Sequence, residues 1–314
     1  METATIQSGT CAAFTPVPGA PVAGTGMAEP SDPYGGGSEV RFALSRRYAA
    51  GLGGVRGMLI TVLGDYVCPS GRPAPTSAFI DALARLGVEE SACRQALIRA
   101  AADGWLATER IGRFTWWRPS PAFEEFLAMG AERIFGFSAT QPDWDGRWLV
   151  VVTRAAETNR SGRHLVRTRL RWSGFGNLAP GVWICTHRDR ASDAELVLRE
   201  AGVFDDCQIF LSEYLTGGDP AALVRQAWDL GEVEREYESF LAAFAQPPSD
   251  DPLVRITQLV HAWRRMILLD PALPDRLLPE GWIGSRAVQL FRRQHATWLP
   301  AATREWSRIS EEAR

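Results

Sequence analysis

Residues 76–118 read TSAFIDALARLG (76–87), VEESACRQALIRAAADGWL (88–106) and ATERIGRFTWWR (107–118), and the fold class turns on these three pieces. In the second piece Cys93, Ala96, Leu97 and Ala100 recur at i, i+3, i+4 and i+7, one buried stripe of a helix. Ser91, Arg94, Gln95, Ile98 and Arg99 project from the other side. A helix that hides small apolar residues and shows Arg, Gln and Ser suits the DNA major groove. Arg pairs with guanine O6/N7, Gln with adenine N6/N7, and an Ile methyl meets the thymine methyl. Ser91 has two readings, base contact or cap of its own helix.

Working outward, the spacing predicts a first helix over 55–67 with Leu59, Ile60, Leu63 and Val67 inward. The Pro-rich CPSGRPAP (68–75) reads as non-helical. Thr76 is the expected N-cap of a second helix carrying Phe79, Ile80, Leu83 and Leu86, and Gly87 ends it in a tight turn. The third helix runs over 91–103 with Gly104 as its stop. Strands over 105–108 and 114–117, joined by Ile111-Gly112-Arg113, form a wing bearing Arg110 and Arg113. Arg113 at its tip reads as a phosphate or minor-groove contact. Trp105, Trp116 and Trp117 read as wing core rather than base-stacking platforms. Residues 40–119 are therefore read as a winged helix-turn-helix DNA-binding domain.

Charge supports this placement. Residues 40–119 hold 11 Arg against 6 acids, whereas 120–219 hold 11 against 14 and 220–314 hold 12 against 13. Only the segment with the helix-turn-helix is basic, as phosphate binding requires. Every base is Arg, which reads as the composition of a GC-rich genome. The five Cys (11, 68, 93, 185, 207) are scattered, so neither a disulfide framework nor a zinc site is indicated, and a reduced cytoplasmic compartment fits. No apolar run is long enough for a membrane span, and no secretory signal is evident.

At 314 residues the chain is too long for one such module, and the rest reads as an α+β multidomain protein. Residues 1–38, rich in Gly, Ala, Pro, Thr and Ser, read as a disordered tail, with Met27 a candidate alternative start. Arg46 and Arg47 are either a small basic arm or a solvated face. A linker helix is expected within 120–142. Strands over 148–153, 182–186 and 207–211 alternate with helices over 160–172 and 193–200, suggesting a ferredoxin-like domain over 143–219. GFGNLAPG (174–181) reads as a turn between strands. From 220 to 314 the pattern is helical, with single helices over 223–244, 252–269 and 287–306 and a Pro-punctuated connector between the last two, giving a third, all-α domain.

Catalytic signatures are missing: there is no GxSxG, no phosphate-cradling Gly-rich loop, and no spaced metal-ligand set around His164, His187, His261 or His295. A metal-dependent nuclease on the middle domain would need an acid at the end of its first strand, where Thr153-Arg154 stand; Asp143 and Asp145 precede the strand. The protein is read as a non-enzyme. The alternative is a nuclease or CoA-ester hydrolase using the middle or C-terminal part.

Five pieces, LITVLGDYV (59–67), LGVEESACRQALIRAAADGWL (86–106), DWDGRWLVVV (143–152), LRWSGFGNLAPGVWI (170–184) and DPALPDRLLPEGWIG (270–284), resemble the PaaX family of bacterial transcriptional regulators, named for repression of phenylacetate degradation. Together they span about residues 55–300. The resemblance implies an N-terminal winged helix, a middle domain akin to a CRISPR-associated endoribonuclease and a helical C-terminal domain. It also implies a homodimer that releases double-stranded operator DNA on binding an aryl-acetyl-CoA, phenylacetyl-CoA or a related acyl-CoA, with no other cofactor. Arg94 and Arg99 match the family's recognition helix, whereas Ile98 departs from a Ser that members often carry. An acyl-CoA needs Arg groups beside an aromatic pocket. Three stretches offer that mixture: Arg167, Arg169, Arg171 and Trp172; Trp183, His187 and Arg188; and His261, Arg264 and Arg265. From these, Arg167, Arg171, Trp172, Trp183, His187 and Arg264 are the candidate effector residues, and a pocket between domains is the further option.

Overall fold

The computed structural model describes residues 54–139, 144–153, 160–215 and 219–312. The expected tail, Arg46, Arg47 and Asp143 lie outside the described residues. No described helix is long and apolar enough to cross a membrane.

Helix α1 (Gly54–Val62) widens into a π turn at Leu63–Val67 and ends in one further turn, Cys68–Ser70. That last turn corrects the expected loop: Pro69 sits in its first turn, where its missing N–H costs nothing, and Gly71 closes it at φ 60°. Strand β1 (Ala74–Pro75), not anticipated, pairs with β3 (Phe114–Pro119), which pairs with β2 (Leu106–Ile111), all antiparallel in the order β1-β3-β2. Gly112, at φ 62°, makes the β2–β3 turn that an L side chain would strain.

Helix α2 (Thr76–Ala84) is preceded by Pro75, so Thr76 is its first helical residue rather than its cap. Its hydroxyl is used elsewhere, accepting from Trp117 Nε1 at 2.8 Å and donating to Thr115 O at 3.0 Å. Helix α3 (Glu90–Ala102) buries Cys93, Ala96, Leu97 and Ala100, the stripe read from the sequence. Glu90 in its first turn and Arg99 in its last complement the helix dipole. Trp105, Trp116 and Trp117 are all buried, and Trp105 stacks on Phe123 at 4.8 Å.

The helix expected as a linker, α4 (Pro121–Gly136), is part of the core, burying Phe123, Phe126 and Leu127. The middle of the chain is a four-stranded antiparallel sheet of order β5-β6-β4-β7, built from β4 (Arg147–Thr153), β5 (Gly176–Ala179), β6 (Val182–Cys185) and β7 (Cys207–Glu213). Helix α5 (Arg160–Trp172) joins β4 to β5 and α6 (Ala191–Glu200) joins β6 to β7, the β-α-β-β-α-β order of a ferredoxin-like unit. Strand β5 corrects the reading of 174–181 as a turn. Its signal was hidden by glycine, and the glycine is there for space: a Cβ on Gly176 would stand 2.5 Å from the Trp228 ring.

The expected helix over 223–244 is two, α7 (Pro220–Ala227) and α8 (Leu230–Phe244). Trp228 leaves the helix in an extended conformation to pack at the sheet, and the Asp229 side chain caps α8 by accepting from Glu232 N at 2.9 Å. Helix α9 (Pro252–Leu269) is capped by Asp251, and α10 (Gly284–Glu311) runs through Pro300.

These C-terminal helices do not make a core of their own. One continuous apolar cluster takes in α1–α4 and α8–α10. Trp263 of α9 stacks on Phe291 at 4.7 Å and meets Phe240 at 5.2 Å, while Trp306 of α10 stacks on Tyr66 at 5.4 Å and meets Phe79 edge-on at 5.6 Å. The sheet has two separate apolar layers: Leu149, Val151 and Trp183 under α5 and α6, and Trp148 and Ile184 against Val224, Leu273 and Leu277.

Candidate nucleic-acid interface

Helix α3 lies on the surface with Ser91, Arg94, Gln95, Ile98 and Arg99 all exposed, Ile98 at 61%. The buried stripe fixes this rotation, because turning the helix to hide Ile98 would expose Leu97, which is 0% accessible. Its C-terminal end is pinned: Asp103 accepts from Arg56 Nη2 at 2.6 Å, and the same guanidinium lies 3.9 Å from the Trp105 ring centroid. At its start Glu89 occupies the N-cap position and Ser91 does not cap, so the capping reading of Ser91 is set aside.

Arg94 is paired to Glu90 at 2.7 Å in an exposed i,i+4 contact. Such pairs contribute about 0.3–0.5 kcal/mol, so a phosphate or a base can displace Glu90 at small cost. Arg110 and Arg113 are exposed on the β2–β3 hairpin, and Arg113 lies over Phe114 at 5.0 Å. Arg118, also exposed on β3, escaped the sequence reading because it follows a buried Trp pair with nothing to mark its face.

The effector candidates scatter. Arg167 and Arg171 are exposed on α5, while Arg169 between them pairs with Glu200 at 3.1 Å. Trp183 is 5% exposed and belongs to the core under α5 and α6. Arg264 is 4% exposed and structural, donating to Gly57 O and Thr61 Oγ1 of α1. Beside it, burial pushes the Asp65 carboxyl up to about 7 against the opposing pull of the Arg264 guanidinium.

Trp172 and His187, however, come together. They line a cavity of about 340 Å³ with Arg133, Phe137, Arg190 and Ile267, between the ends of α4, α5 and α9. His187 Nε2 lies 3.1 Å from both Pro271 O and Ala272 O, so it carries a proton donated to those carbonyls. Burial holds the imidazole below its usual range. Ala272 is held at φ 50°, with its N–H donating to Asp270 Oδ1 at 2.7 Å. Asp270 also accepts from Tyr237 OH at 2.5 Å, and burial raises its carboxyl to about 6. The cavity falls in the size range of small-molecule sites, and its lining combines aromatic rings with basic residues and two acidic ones, Glu132 and Asp270. Arg133 and Arg190 carried no sequence signal, since each reaches the cavity from a separate element.

Asp145 precedes β4 and accepts from Arg147 N at 2.9 Å. The end of β4 is Thr153, which holds Gly181 O at 2.7 Å through its backbone N–H.

Three family profiles match the chain: "PaaX-like protein" over residues 54–120, "PaaX protein central Cas2-like domain" over 141–224, and "PaaX-like protein C-terminal domain" over 228–308. The transcriptional repressor PaaX of Escherichia coli (strain K12) is 30% identical over 259 residues, covering 78% of this chain and 80% of that protein. Among solved structures, the uncharacterized protein Rv0674 from Mycobacterium tuberculosis aligns over 81% of this chain and 97% of its own, with a TM-score of 0.54 and 23% identity, a likeness of fold.

Proposed function

The chain belongs to the PaaX family of regulators, and on that premise we propose that it is a sequence-specific DNA-binding transcriptional repressor. In this reading it controls an aromatic-acid catabolic operon of the phenylacetate type and is released by an aryl-acetyl-CoA. Residues 54–119 act as a winged helix-turn-helix. The observation that carries the reading is the outer face of α3: Arg94, Gln95, Ile98 and Arg99 exposed together on a helix whose rotation is fixed by its buried stripe, beside a hairpin bearing Arg110 and Arg113.

In the groove, Arg94, Gln95 and Arg99 supply hydrogen bonds to base edges, Ile98 an apolar contact, and Arg113 a phosphate contact. The cavity holding Trp172 and His187 takes the aryl-acyl group, with Arg133 and Arg190 at its margin for phosphate charge. Ligand lowers DNA affinity only if it binds the DNA-free geometry more tightly.

The test is fluorescence anisotropy with the promoter next to the protein's own gene, with and without phenylacetyl-CoA. The expected result is tight, salt-dependent binding that weakens on adding the thioester. No binding at low salt overturns the DNA reading, and undiminished binding with saturating thioester overturns the effector reading.

A further inference from the structure

Helix α5 breaks two local rules of helix composition. Its sequence, RSGRHLVRTRLRW (160–172), holds five arginines and no acid. Arg163, Arg167 and Arg171 recur at i, i+4 and i+8, so like charges face one another along one side, which disfavours the helix. Arg163 stands in the first turn, where the helix dipole disfavours a cation and no acid offsets it. Val166 and Leu170 are buried on the opposite side, which fixes the rotation and leaves Arg163, His164, Arg167 and Arg171 exposed together. Local rules broken with no compensation inside the fold mark a place where function sets the sequence.

Other guanidinium groups of the same sheet unit are engaged: Arg169 with Glu200 at 3.1 Å, Arg190 with Asp193 at 3.1 Å and Arg199 with Glu195 at 2.7 Å. Arg163, Arg167 and Arg171 pair with no acid among the described residues, although 120–219 carry more acids than arginines. Neither Arg167 nor Arg171 lines the cavity of Trp172 and His187, so that cavity does not account for them. The pattern points to a class of partner. No large apolar side chain of α5 is exposed among the described residues, so a protein would find charge without the apolar anchor that interfaces are built around. A phosphate backbone needs no such anchor, because released counterions supply the affinity. Successive arginines stand about 6 Å apart along the helix axis, at 1.5 Å per residue. Two phosphate steps on one strand of duplex DNA span about 6.8 Å, so the row can follow a strand.

We propose that the outer face of α5 is a second nucleic-acid surface, holding the backbone of duplex DNA through Arg163, Arg167 and Arg171 without reading its sequence. Arg167 and Arg171 then serve DNA phosphates rather than those of an acyl-CoA. The proposal goes beyond the reading of α3 and does not require it: equal affinity for operator and scrambled DNA would overturn the α3 reading, while the salt dependence carried by α5 still decides this one.

The full chain is compared with the triple variant Arg163→Gln, Arg167→Gln, Arg171→Gln and with the corresponding Arg→Lys triple, by anisotropy on a scrambled duplex of several helical turns across a salt series. Circular dichroism and melting temperature confirm the fold, and relieving like charges on α5 should leave the melt unchanged or raise it. The glutamine triple should lower the slope of log K against log salt by about 0.9 per arginine, about 2.7 for each bound copy, and the lysine triple should keep it. The same loss is expected in an Arg94→Ala, Arg99→Ala background, which separates α5 from α3. Benzoylphenylalanine in place of His164 should photo-crosslink to the duplex, whereas in place of Ser239, exposed on α8, it should not. A glutamine triple with the wild-type slope, an equal loss with lysine, a loss that vanishes once α3 is disabled, or no crosslink from position 164 each overturns the proposal.

Discussion

Replacing Ile98 by Ala separates direct reading of bases from general attraction to DNA. Ile98 is the one large apolar side chain on the outer face of α3, 61% exposed between Arg94, Gln95 and Arg99. Fully burying such a side chain is worth about 1.5–3 kcal/mol, so hiding the exposed part against a thymine methyl recovers roughly 1–2 kcal/mol. That is on the order of 5–30-fold in Kd. Alanine keeps the helix and removes no core contact, so the melting temperature should move little. The assay is anisotropy titration at one fixed salt concentration, with operator and scrambled DNA side by side. Affinity for operator should fall by that factor, while affinity for scrambled DNA, held by phosphate contacts, should stay within twofold. An equal loss on both DNAs, or none on either, would refute the assignment of Ile98 to a base edge.

Four further outcomes follow from the structure. Arg113→Ala, at the exposed hairpin tip, should reduce the slope of log K against log salt by about 0.9, one phosphate contact, equally on operator and scrambled DNA; an unchanged slope removes Arg113 from the interface. Asp65 has a folded pKa of about 7 against 3.8 when unfolded, so the unfolded chain ionises first and this carboxyl costs stability as pH rises through that window, levelling above it. Asp65→Asn should therefore gain on wild type by up to about 4 kcal/mol in urea unfolding between about pH 4 and pH 8, and a pH-independent difference contradicts this. Gly176→Ala drives a Cβ to within 2.5 Å of the Trp228 ring and should destabilise by about 1–3 kcal/mol in thermal melts; an unshifted melt refutes the tight packing. Arg85→Ala severs its contacts to Asp81, Asp251 and Glu305; ligand-free DNA affinity should change little, whereas the response to phenylacetyl-CoA should shrink, and a full response would show that this junction does not couple the two sites.

What the sequence revealed depended on whether a signal was local. The buried stripe of α3 and the turns at Gly87, Gly104 and Gly112 were legible because periodicity and positive φ leave marks within a few residues. β5 was not, since Gly176 is dictated by Trp228, more than fifty residues away. The break between α7 and α8 was missed for the same reason, as Trp228 leaves the helix to reach the sheet. Of the candidate effector residues, Trp172 and His187 line one cavity, but nothing in their neighbourhoods distinguished them from Trp183, a core residue, or Arg264, a tether to α1. Which of several Arg and Trp residues converge is decided by packing between elements far apart in the chain.

That packing also relates the two candidate sites. Helix α9 has 18 residues and, at 1.5 Å per residue, spans about 27 Å. Its N-cap, Asp251, accepts from Arg85 Nη1 at 3.0 Å, and Arg85 closes α2 just before the turn into α3. Its other end and the residues just after it supply Ile267, Asp270, Pro271 and Ala272 to the cavity, where His187, two residues past the end of β6, donates to the last two carbonyls. Between these ends Trp263 is fully buried and Arg264 is fastened to α1. A helix packed this closely moves as a rod rather than bending, because its core side chains interlock with α1, α8 and α10. On the proposed effector reading, a displacement at the His187 end would reach Arg85 and the start of α3 through this helix, which is what the Arg85→Ala titration tests. Coupling of this kind needs only two seatings of one rod, not a chain of small distortions through soft intervening contacts.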